Sequence, residues 1–175
     1  MPLTCKAAIA DGHGNFIIDH IQVNDPKPDE VIVKMKAAGL CHTDFDSLRW
    51  GKNFVLGHEG SGVVIQAGDS VTGVLPGDAV ILNWATPCGH CFQCLEGNQH
   101  ICENNSPVVA GSNGHTPGHA DLSGTTWNGK SLERSFNLGT LSQYTLVKSS
   151  AVVKNESKRM SFQAASIVSC GVMTG

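Results

Sequence analysis

Four cysteines stand close together in one short segment of the chain. They follow the pattern C-x2-C-x2-C-x7-C, at Cys88, Cys91, Cys94 and Cys102. A loop with this spacing can bring three thiolates around one ion while the fourth completes a tetrahedron, and zinc suits such a set of sulfur ligands. With four protein ligands the metal keeps no open position. We therefore expect a structural zinc loop at about residues 86–104.

Two other kinds of cysteine-rich site are alternatives for this loop. Bacterial ferredoxins hold an iron–sulfur cluster with C-x2-C-x2-C-x3-C-P, but here the last gap is seven residues and Glu103 follows the fourth cysteine. A zinc ribbon that binds DNA needs paired cysteines in basic surroundings, whereas residues 86–104 contain no Lys or Arg. The sequence favours the structural zinc over both.

A second group of metal-ligand residue types is dispersed along the chain. Gly57-His58-Glu59 opens the pattern G-H-E-x2-G-x5-G-x2-V, Cys41 lies upstream in G-L-C-H-T-D, and Cys170 lies downstream in S-C-G-V-M-T-G. A Cys, a His and a further Cys or Glu would give one zinc three protein ligands and leave one position open. An open zinc can polarise an oxygen and lower the pKa of a bound water or alcohol. This second set therefore predicts a catalytic metal site.

These motifs, in this order, resemble those of the zinc-containing medium-chain alcohol dehydrogenases, and the resemblance spans nearly the whole chain. It implies that Cys41, His58 and Cys170 are ligands of a catalytic zinc, with the four-cysteine loop holding a second, structural zinc. It also implies that Glu59 is the adjacent carboxylate that can approach the metal during ligand exchange. An ion pair behind the ligands is the alternative reading of Glu59.

The resemblance implies roles for four further residues. Asp44 matches the carboxylate that orients the zinc-binding histidine, with helix capping as the alternative. Thr43 resembles the hydroxyl that takes the substrate proton, a task that suits a group able both to donate and to accept. His42 resembles the residue beside the cofactor pyrophosphate, with a solvent-facing histidine as the alternative. Thr174 resembles a residue that contacts the nicotinamide of NAD or NADP.

The sequence also departs from the family near the expected substrate pocket. Asp46 stands where the liver-type enzymes carry the histidine that ends the proton relay, and the segment before the Gly-His-Glu motif is shorter. Trp50, Phe54 and Trp84 are available to line an aromatic pocket, with packing in the core as the alternative for each.

The elements that must position these residues are mostly strands. Short β-branched or alternating apolar runs are separated by turn-forming Gly and Pro, and the best helix signal covers residues 157–168, with Ser157 or Ser161 as its cap. The segment 111–139 is rich in Gly, Ser, Thr, Asn and Pro, which indicates a long irregular excursion. The pattern predicts a mainly β fold with few short helices, which the resemblance makes a GroES-like, partly open β-barrel. The predicted strands cover residues 6–10, 15–19, 30–36, 61–66, 79–84, 143–147 and 151–153.

Composition excludes several classes of function. The chain has 175 residues, of which 41% are hydrophobic and 15% charged, as expected for a folded globular protein. Its formal net charge of -3 provides no basic field for nucleic acid or an anionic membrane. It has neither a spanning apolar run nor a secretory signal, and seven cysteines in a reducing compartment indicate metal binding or catalysis. We expect a cytoplasmic protein without nucleic-acid or membrane partners.

We expect the family's dinucleotide-binding Rossmann domain to lie outside residues 1–175. Its Gly-rich turn, G-x-G-x-x-G after a strand, occurs nowhere in residues 1–175. We therefore expect residues 1–175 to form one GroES-like catalytic domain, truncated before the dinucleotide-binding domain and inactive alone. The full-length protein would oxidise a primary alcohol or reduce an aldehyde with NAD or NADP, as a homodimer or homotetramer. The alternative is a non-enzymatic, zinc-stabilised GroES-like binding module.

Overall fold

The computed structural model describes residues 2–104, 124–157 and 159–175. The helices within these ranges are short, and none is long and apolar enough to cross a membrane. The elements, in chain order, are β1 (Leu3–Ala10), β2 (Phe16–Val23), β3 (Glu30–Gly39), α1 (His42–Ser47), β4 (Phe54–Val55), β5 (Glu59–Ala67), β6 (Ala79–Leu82), α2 (Phe92–Leu95), β7 (Thr125–Trp127), β8 (Lys130–Ser131), β9 (Glu133–Arg134), β10 (Tyr144–Lys148), β11 (Val152–Lys154) and α3 (Phe162–Ser166).

The strands of the described ranges form two sheets that together make a nearly closed barrel. One sheet has the order β8-β7-β2-β1-β4-β9 and the other β10-β3-β5-β6-β11. All pairs are antiparallel except β4 with β9. The sheets are joined where the N–H of Ala8 donates to the carbonyl of Leu141 at 2.8 Å and Ala7 bridges to Ser142. The prediction of a mainly β, barrel-like fold with few short helices is confirmed.

Strand β3 connects the two parts of the hydrophobic core. Successive side chains of a strand point to opposite faces, and at its start Val31, Ile32 and Val33 are all fully buried. Ile32 packs with the residues of β1 and β2, whereas Val31 and Val33 pack with those of β5 and β6. Burial on both faces fixes β3 firmly. Its far end, at Gly39, pairs with Glu59 of β5.

The segment 111–139 is more regular than its composition indicates. Thr125 and Thr126 of β7 pair with the end of β2, and β7 and β8 form a tight hairpin. The two turn residues, Asn128 and Gly129, have φ angles of 50° and 75°, the left-handed pair that an Asn-Gly hairpin turn requires. The irregular prediction is wrong for residues 124–139, because pairing with β2 outweighs local turn propensity. Residues 105–123 lie outside the described residues.

The predicted helix over residues 157–168 begins later than expected. Ser161 is its N-cap, since its Oγ accepts a hydrogen bond from the N–H of Ala164 at 3.2 Å. Ser157 instead belongs to a turn in which its N–H donates to the side chain of Asn155. Helix α3 ends at Ser166 and is followed by a π-helical turn over Val168–Val172.

Candidate metal centres

The dispersed metal-ligand residues come together at one end of β3 and β5. Gly39, the last residue of β3, pairs with Glu59, the first residue of β5, so Cys41 and His58 are brought side by side. The π-helical turn after α3 adds Cys170. One ligand atom from each of Cys41, His58, Glu59 and Cys170 lies within 4.8 Å of the others.

This donor set fits a zinc ion. The Sγ atoms of Cys41 and Cys170 lie 4.0 Å apart, close to the ~3.8 Å separation of two thiolates in a tetrahedral site with Zn–S bonds of about 2.3 Å. His58, Glu59 and Cys170 are buried, and Cys41 is half-buried. Sulfur and imidazole ligands with one nearby carboxylate are the chemistry that zinc accepts most readily.

The negative charges of the cluster also favour a cation at this place. Burial raises the pKa of the Cys170 thiol, and the charges of Cys41 and Glu59 raise it further, to about 12. Burial also raises the pKa of Cys41, but hydrogen bonds from Thr43 and His58 outweigh this effect and leave its pKa below the ordinary value. A thiol whose pKa is raised in this way ionises readily only with a cation beside it, so the shift at Cys170 is consistent with a metal site.

Asp44 holds His58 in position and also caps α1. Its Oδ1 lies 3.2 Å from Nδ1 of His58, while its Oδ2 accepts a hydrogen bond from the N–H of Cys41 at 3.0 Å. The two roles weighed from the sequence are therefore compatible. Burial lowers the pKa of His58, but the hydrogen bond and charge of Asp44 raise it more, so the net shift is upward. Contact through Nδ1 leaves Nε2 as the nitrogen available to a metal.

Thr43 lies beside the cluster, and Thr174 lies near it. Oγ1 of the half-buried Thr43 is 3.7 Å from Sγ of Cys41. The Thr174 side chain is exposed, and its hydroxyl donates to the carbonyl of Cys170 at 2.9 Å. The Thr43 hydroxyl can therefore contact a group bound at the cluster. The Thr174 hydroxyl is already hydrogen-bonded to the backbone carbonyl of Cys170.

His42 and Asp46 lie on the solvent side of α1. Their side chains are 88% and 67% exposed, and Nε2 of His42 is 3.7 Å from Oδ1 of Asp46. Residues four apart on a helix are neighbours, which accounts for this contact. The structure thus places both residues away from the buried donors of the cluster.

The four cysteines of the loop form a second cluster. The Sγ–Sγ distances are 3.9 Å for Cys88 and Cys94 and 3.9 Å for Cys91 and Cys102. All four sulfur atoms lie within 4.8 Å of one another. These separations match a tetrahedral four-sulfur zinc site, and no disulfide forms, since all seven cysteines are free thiols.

Hydrogen bonds to sulfur favour thiolates in this loop. Burial raises the pKa of Cys88, but the N–H groups of His90 and Cys91 and the amide of Asn104 lower it more, to about 6. Burial and neighbouring thiols raise the pKa of Cys94 to about 11. The raised pKa of Cys94 means that its thiol ionises readily only with a cation beside it.

Four aromatic side chains, which we call the aromatic group, lie next to His58. The ring of Phe136 is 4.8 Å from that of His58, 5.7 Å from that of Trp84 and 6.2 Å from that of Trp50. Trp50 also stacks on Phe54 at 5.7 Å. Phe54 is buried in the core, whereas the other three rings are partly open to solvent.

Two residues at this site were not given a role by the sequence reasoning. Phe136 has a φ of 49° and falls in the segment that was expected to be irregular, so no sequence signal indicates its place beside His58. Gly39 has a detectable signal, because a glycine inside a strand often marks a close approach. A Cβ atom there would lie 2.0 Å from Oε2 of Glu59.

The nearly closed, mainly β barrel with few short helices is a GroES-like domain. Its sequence gives the narrower assignment. Residues 27–157 match the alcohol dehydrogenase GroES-like domain, and the chain belongs to the alcohol dehydrogenase family.

Curated relatives match nearly the whole of this chain, but the chain covers only part of each relative. Alcohol dehydrogenase B of Mycobacterium tuberculosis is 34% identical over 98% of the chain and 46% of that protein. The S-(hydroxymethyl)glutathione dehydrogenase of Candida maltosa is 34% identical over 99% of the chain and 46% of that protein. The chain thus spans about half the length of these relatives.

Solved structures agree with this assignment. An alcohol dehydrogenase zinc-binding domain protein from Burkholderia ambifaria superposes with a TM-score of 0.84 at 30% identity, over 99% of this chain and 47% of that one. Benzyl alcohol dehydrogenase from Acinetobacter calcoaceticus gives 0.81 at 30% identity, over 99% and 46%. A cobalt- and zinc-bound thermostable alcohol dehydrogenase from Pyrobaculum aerophilum gives 0.71 at 26% identity, over 98% and 46%.

Proposed function

We propose that this chain is the catalytic domain of a zinc-dependent alcohol dehydrogenase. In a full-length protein it would oxidise a primary alcohol to an aldehyde, or catalyse the reverse reduction, with NAD or NADP as the hydride carrier. The observation that carries this proposal is the convergence of Cys41, His58 and Cys170, with Asp44 behind the histidine and Thr43 beside it.

Cys41, His58 and Cys170 would hold the catalytic zinc, and the four cysteines of the loop would hold the structural one. When bound at the first cluster, zinc supplies a Lewis acid that polarises the oxygen of an alcohol or a carbonyl group. The carboxylate of Glu59 lies among the same donors and is buried. We assign it the role of entering the donor set when ligands exchange.

The residues around the cluster would manage the proton of the alcohol. Asp44 fixes the ring of His58 through Nδ1, and its second oxygen fixes the start of α1, which carries Thr43. The hydroxyl of Thr43 would accept the substrate proton and pass its own on towards solvent, because a hydroxyl can do both at once. Asp46, which stands where the family's relay histidine is expected, is exposed on α1.

The cofactor and the rest of the protein belong to the same proposal. Residues 1–175 would form one domain with its structural zinc loop at 86–104, followed in the full-length protein by a dinucleotide-binding domain. His42 and Thr174 would contact the pyrophosphate and the nicotinamide, respectively, and both side chains are exposed to receive them. A cytoplasmic homodimer or homotetramer is also proposed.

The test compares two substitutions of the same kind in the full-length protein that contains this chain. Thr43→Val removes the proposed proton acceptor, and Thr126→Val removes a hydroxyl of similar exposure on β7. Reduction of the nicotinamide is measured with a series of primary alcohols, and zinc content is measured by elemental mass spectrometry.

We expect Thr43→Val to lower kcat by about 10²- to 10⁴-fold with its zinc retained, and Thr43→Ser to restore most of the rate. Thr126→Val should behave as the wild type does. Full turnover by Thr43→Val would remove Thr43 from the mechanism. A folded, zinc-loaded protein that oxidises no alcohol would instead favour the GroES-like binding module.

A further inference from the structure

We propose that Asn104 and His90 hold Cys88 in place as a zinc ligand and thereby set the rate at which zinc leaves the cysteine loop. The inference rests on the structural zinc of the proposed function and concerns two side chains outside its donor set. Both act through Cys88, so they are positioning residues. The observation that carries the inference is a closed set of hydrogen bonds among Cys88, His90 and Asn104, which we call the Cys88 ring.

The Cys88 ring consists of three contacts. Nδ1 of His90 lies 2.9 Å from the carbonyl oxygen of Cys88. Nδ2 of Asn104 lies 3.3 Å from Sγ of Cys88 and 3.4 Å from Nε2 of His90. The ring therefore connects both the backbone and the sulfur of Cys88 to two side chains that do not belong to the four-cysteine cluster.

The chemistry of the groups determines the direction of each hydrogen bond. A carbonyl oxygen only accepts, so Nδ1 of His90 carries the hydrogen, and Nε2 of the neutral imidazole accepts. The amide nitrogen of Asn104 has two hydrogens, one for Nε2 of His90 and one for the sulfur of Cys88. The amide is thus oriented with its nitrogen towards Cys88. A carboxylate at position 104 could donate to neither acceptor.

Cys88 is the most accessible of the four loop cysteines. It is half-buried, whereas Cys91, Cys94 and Cys102 are no more than 8% exposed. Water or a chelator must displace one sulfur before zinc can leave, and the accessible sulfur offers the shortest route. The side chains that hold Cys88 therefore have the largest influence on zinc release.

The hydrogen bond from Asn104 stabilises the charge of this sulfur. Hydrogen bonds to a charged acceptor are about twice as strong as those between neutral groups, and a thiolate ligand is such an acceptor. Sγ of Cys88 also accepts from the backbone N–H of Cys91 at 3.3 Å, a contact that does not depend on a side chain. The contribution of Asn104 is the one that a substitution can remove.

Asn98 provides a matched control in the same loop. Like Asn104 it is exposed, but its amide donates to Oε1 of Gln93 at 3.3 Å rather than to a sulfur. The same substitution at both positions changes the loop's polarity or charge equally. A difference between the two variants therefore reports on the contact with Cys88.

The experiment measures zinc release from the zinc-loaded, full-length protein that contains this chain. The parent carries Cys170→Ser, which removes a donor of the first cluster and should leave about one zinc ion per chain, in the loop. A chelating dye is added, and its absorbance gives the release rate. The loop is also loaded with cobalt(II), whose sulfur-to-metal charge-transfer band reports on the thiolate electrons. The variants are Asn104→Leu, Asn104→Asp, Asn104→Gln, His90→Leu, the double variant with leucine at both positions, and the controls Asn98→Leu and Asn98→Asp.

We expect Asn104→Leu to release zinc about tenfold faster than the parent, in the range of one hydrogen bond to a charged group. Asn104→Asp should be at least as fast, because it places a negative charge beside the thiolate. His90→Leu should show a smaller increase, and the double variant should be no faster than Asn104→Leu, since His90 acts on the sulfur through Asn104. Both Asn98 variants should release zinc at the parent rate.

The cobalt band separates positioning of the sulfur from a general effect on the fold. Loss of a hydrogen bond raises the energy of the sulfur electrons, so Asn104→Leu should move the band to longer wavelength. A loosened loop with the same hydrogen bonds would not move it. Asn104→Gln keeps the donor on a longer side chain and should retain the band position and most of the slow release. Circular dichroism verifies the fold of each variant.

Two results would overturn the inference. The first is an equal release rate for Asn104→Leu and Asn98→Leu, and the second is faster release by Asn104→Leu with an unmoved cobalt band. A loop that binds no zinc in any of these proteins would overturn both the inference and the structural zinc of the proposed function. If the Cys170→Ser parent keeps about two zinc ions, the proposed catalytic zinc site fails, while the comparison of positions 104 and 98 still decides the inference.

Discussion

A single methyl group added at Gly39 should disturb the first metal-ligand cluster through Glu59. An ideal Cβ at this position would lie 2.0 Å from Oε2 and 3.0 Å from Cδ of Glu59, and 3.0 Å from Cγ2 of Ile167. Gly171 approaches the other carboxylate oxygen, so that a Cβ there would be 3.5 Å from Oε1. The carboxylate is thus held between two glycines.

The cost of Gly39→Ala follows from this confinement. The backbone of Gly39 is in a strand, so alanine is allowed there and the penalty comes from the contact. Glu59 is buried and cannot swing into water without breaking other packing, and overpacking of this kind costs about 1–3 kcal/mol. In a Glu59→Ala background Ile167 is the one of these three nearest contacts that remains, and the same change should cost less than about 1 kcal/mol.

Urea unfolding of the four proteins in this double-mutant cycle measures the free energy of unfolding directly. The cycle is run with zinc and again with a chelator, so that the contact is separated from any change in metal affinity. We expect a coupling of about 1–2 kcal/mol in both conditions. An equal cost of Gly39→Ala in both backgrounds would refute the reasoning, because the clash would then not involve Glu59.

Three further predictions concern other parts of the molecule. Cys88→Ser should reduce the zinc content from about two ions per chain to about one, and elemental mass spectrometry giving about two would contradict a four-sulfur site. Thr125→Val removes the oxygen that accepts a 2.6 Å hydrogen bond from Nη1 of the buried Arg134. The free energy of unfolding should therefore fall by about 1–3 kcal/mol. An unchanged urea midpoint would mean that this hydrogen bond does not stabilise the fold. A hydrogen bond from Lys154 lowers the pKa of Asp78, so the stabilisation is present above the unfolded pKa of about 4 and is lost as the pH falls through the lower folded value. Lys154→Met should therefore unfold at a lower urea concentration than the wild type at about pH 7 and at nearly the same concentration at about pH 2. If the two urea midpoints differ by the same amount at both pH values, the ion pair is not the cause of the destabilisation.

Local spacing was enough to predict the cysteine loop and most of the strands. The four loop cysteines lie within one short segment, so their spacing carries the geometry of the cluster almost directly. Strand β3 was also predictable from local sequence, because it begins with a run of β-branched residues, and these are buried in the structure. The confirmed family resemblance supplied the order of the dispersed motifs, which no local pattern could have linked.

The remaining features depend on contacts between distant residues. Phe136 reaches His58 because the chain bends through two left-handed residues, and its neighbours in sequence do not indicate that bend. The start of α3 was misplaced because two serines could cap it, and only packing decides between them. The hairpin at Asn128 and Gly129, by contrast, has a strong local signal that the overall composition of the segment obscured.

The two clusters also differ in when they can form as the chain is synthesised. Cys88 and Cys102 are 14 residues apart, so a nascent chain can close the cysteine loop soon after that segment emerges from the ribosome. Cys41 and Cys170 are 129 residues apart, and loop closure over that distance must await the folding of nearly everything between them. The cysteine loop can therefore assemble early during translation, whereas the barrel cluster assembles late.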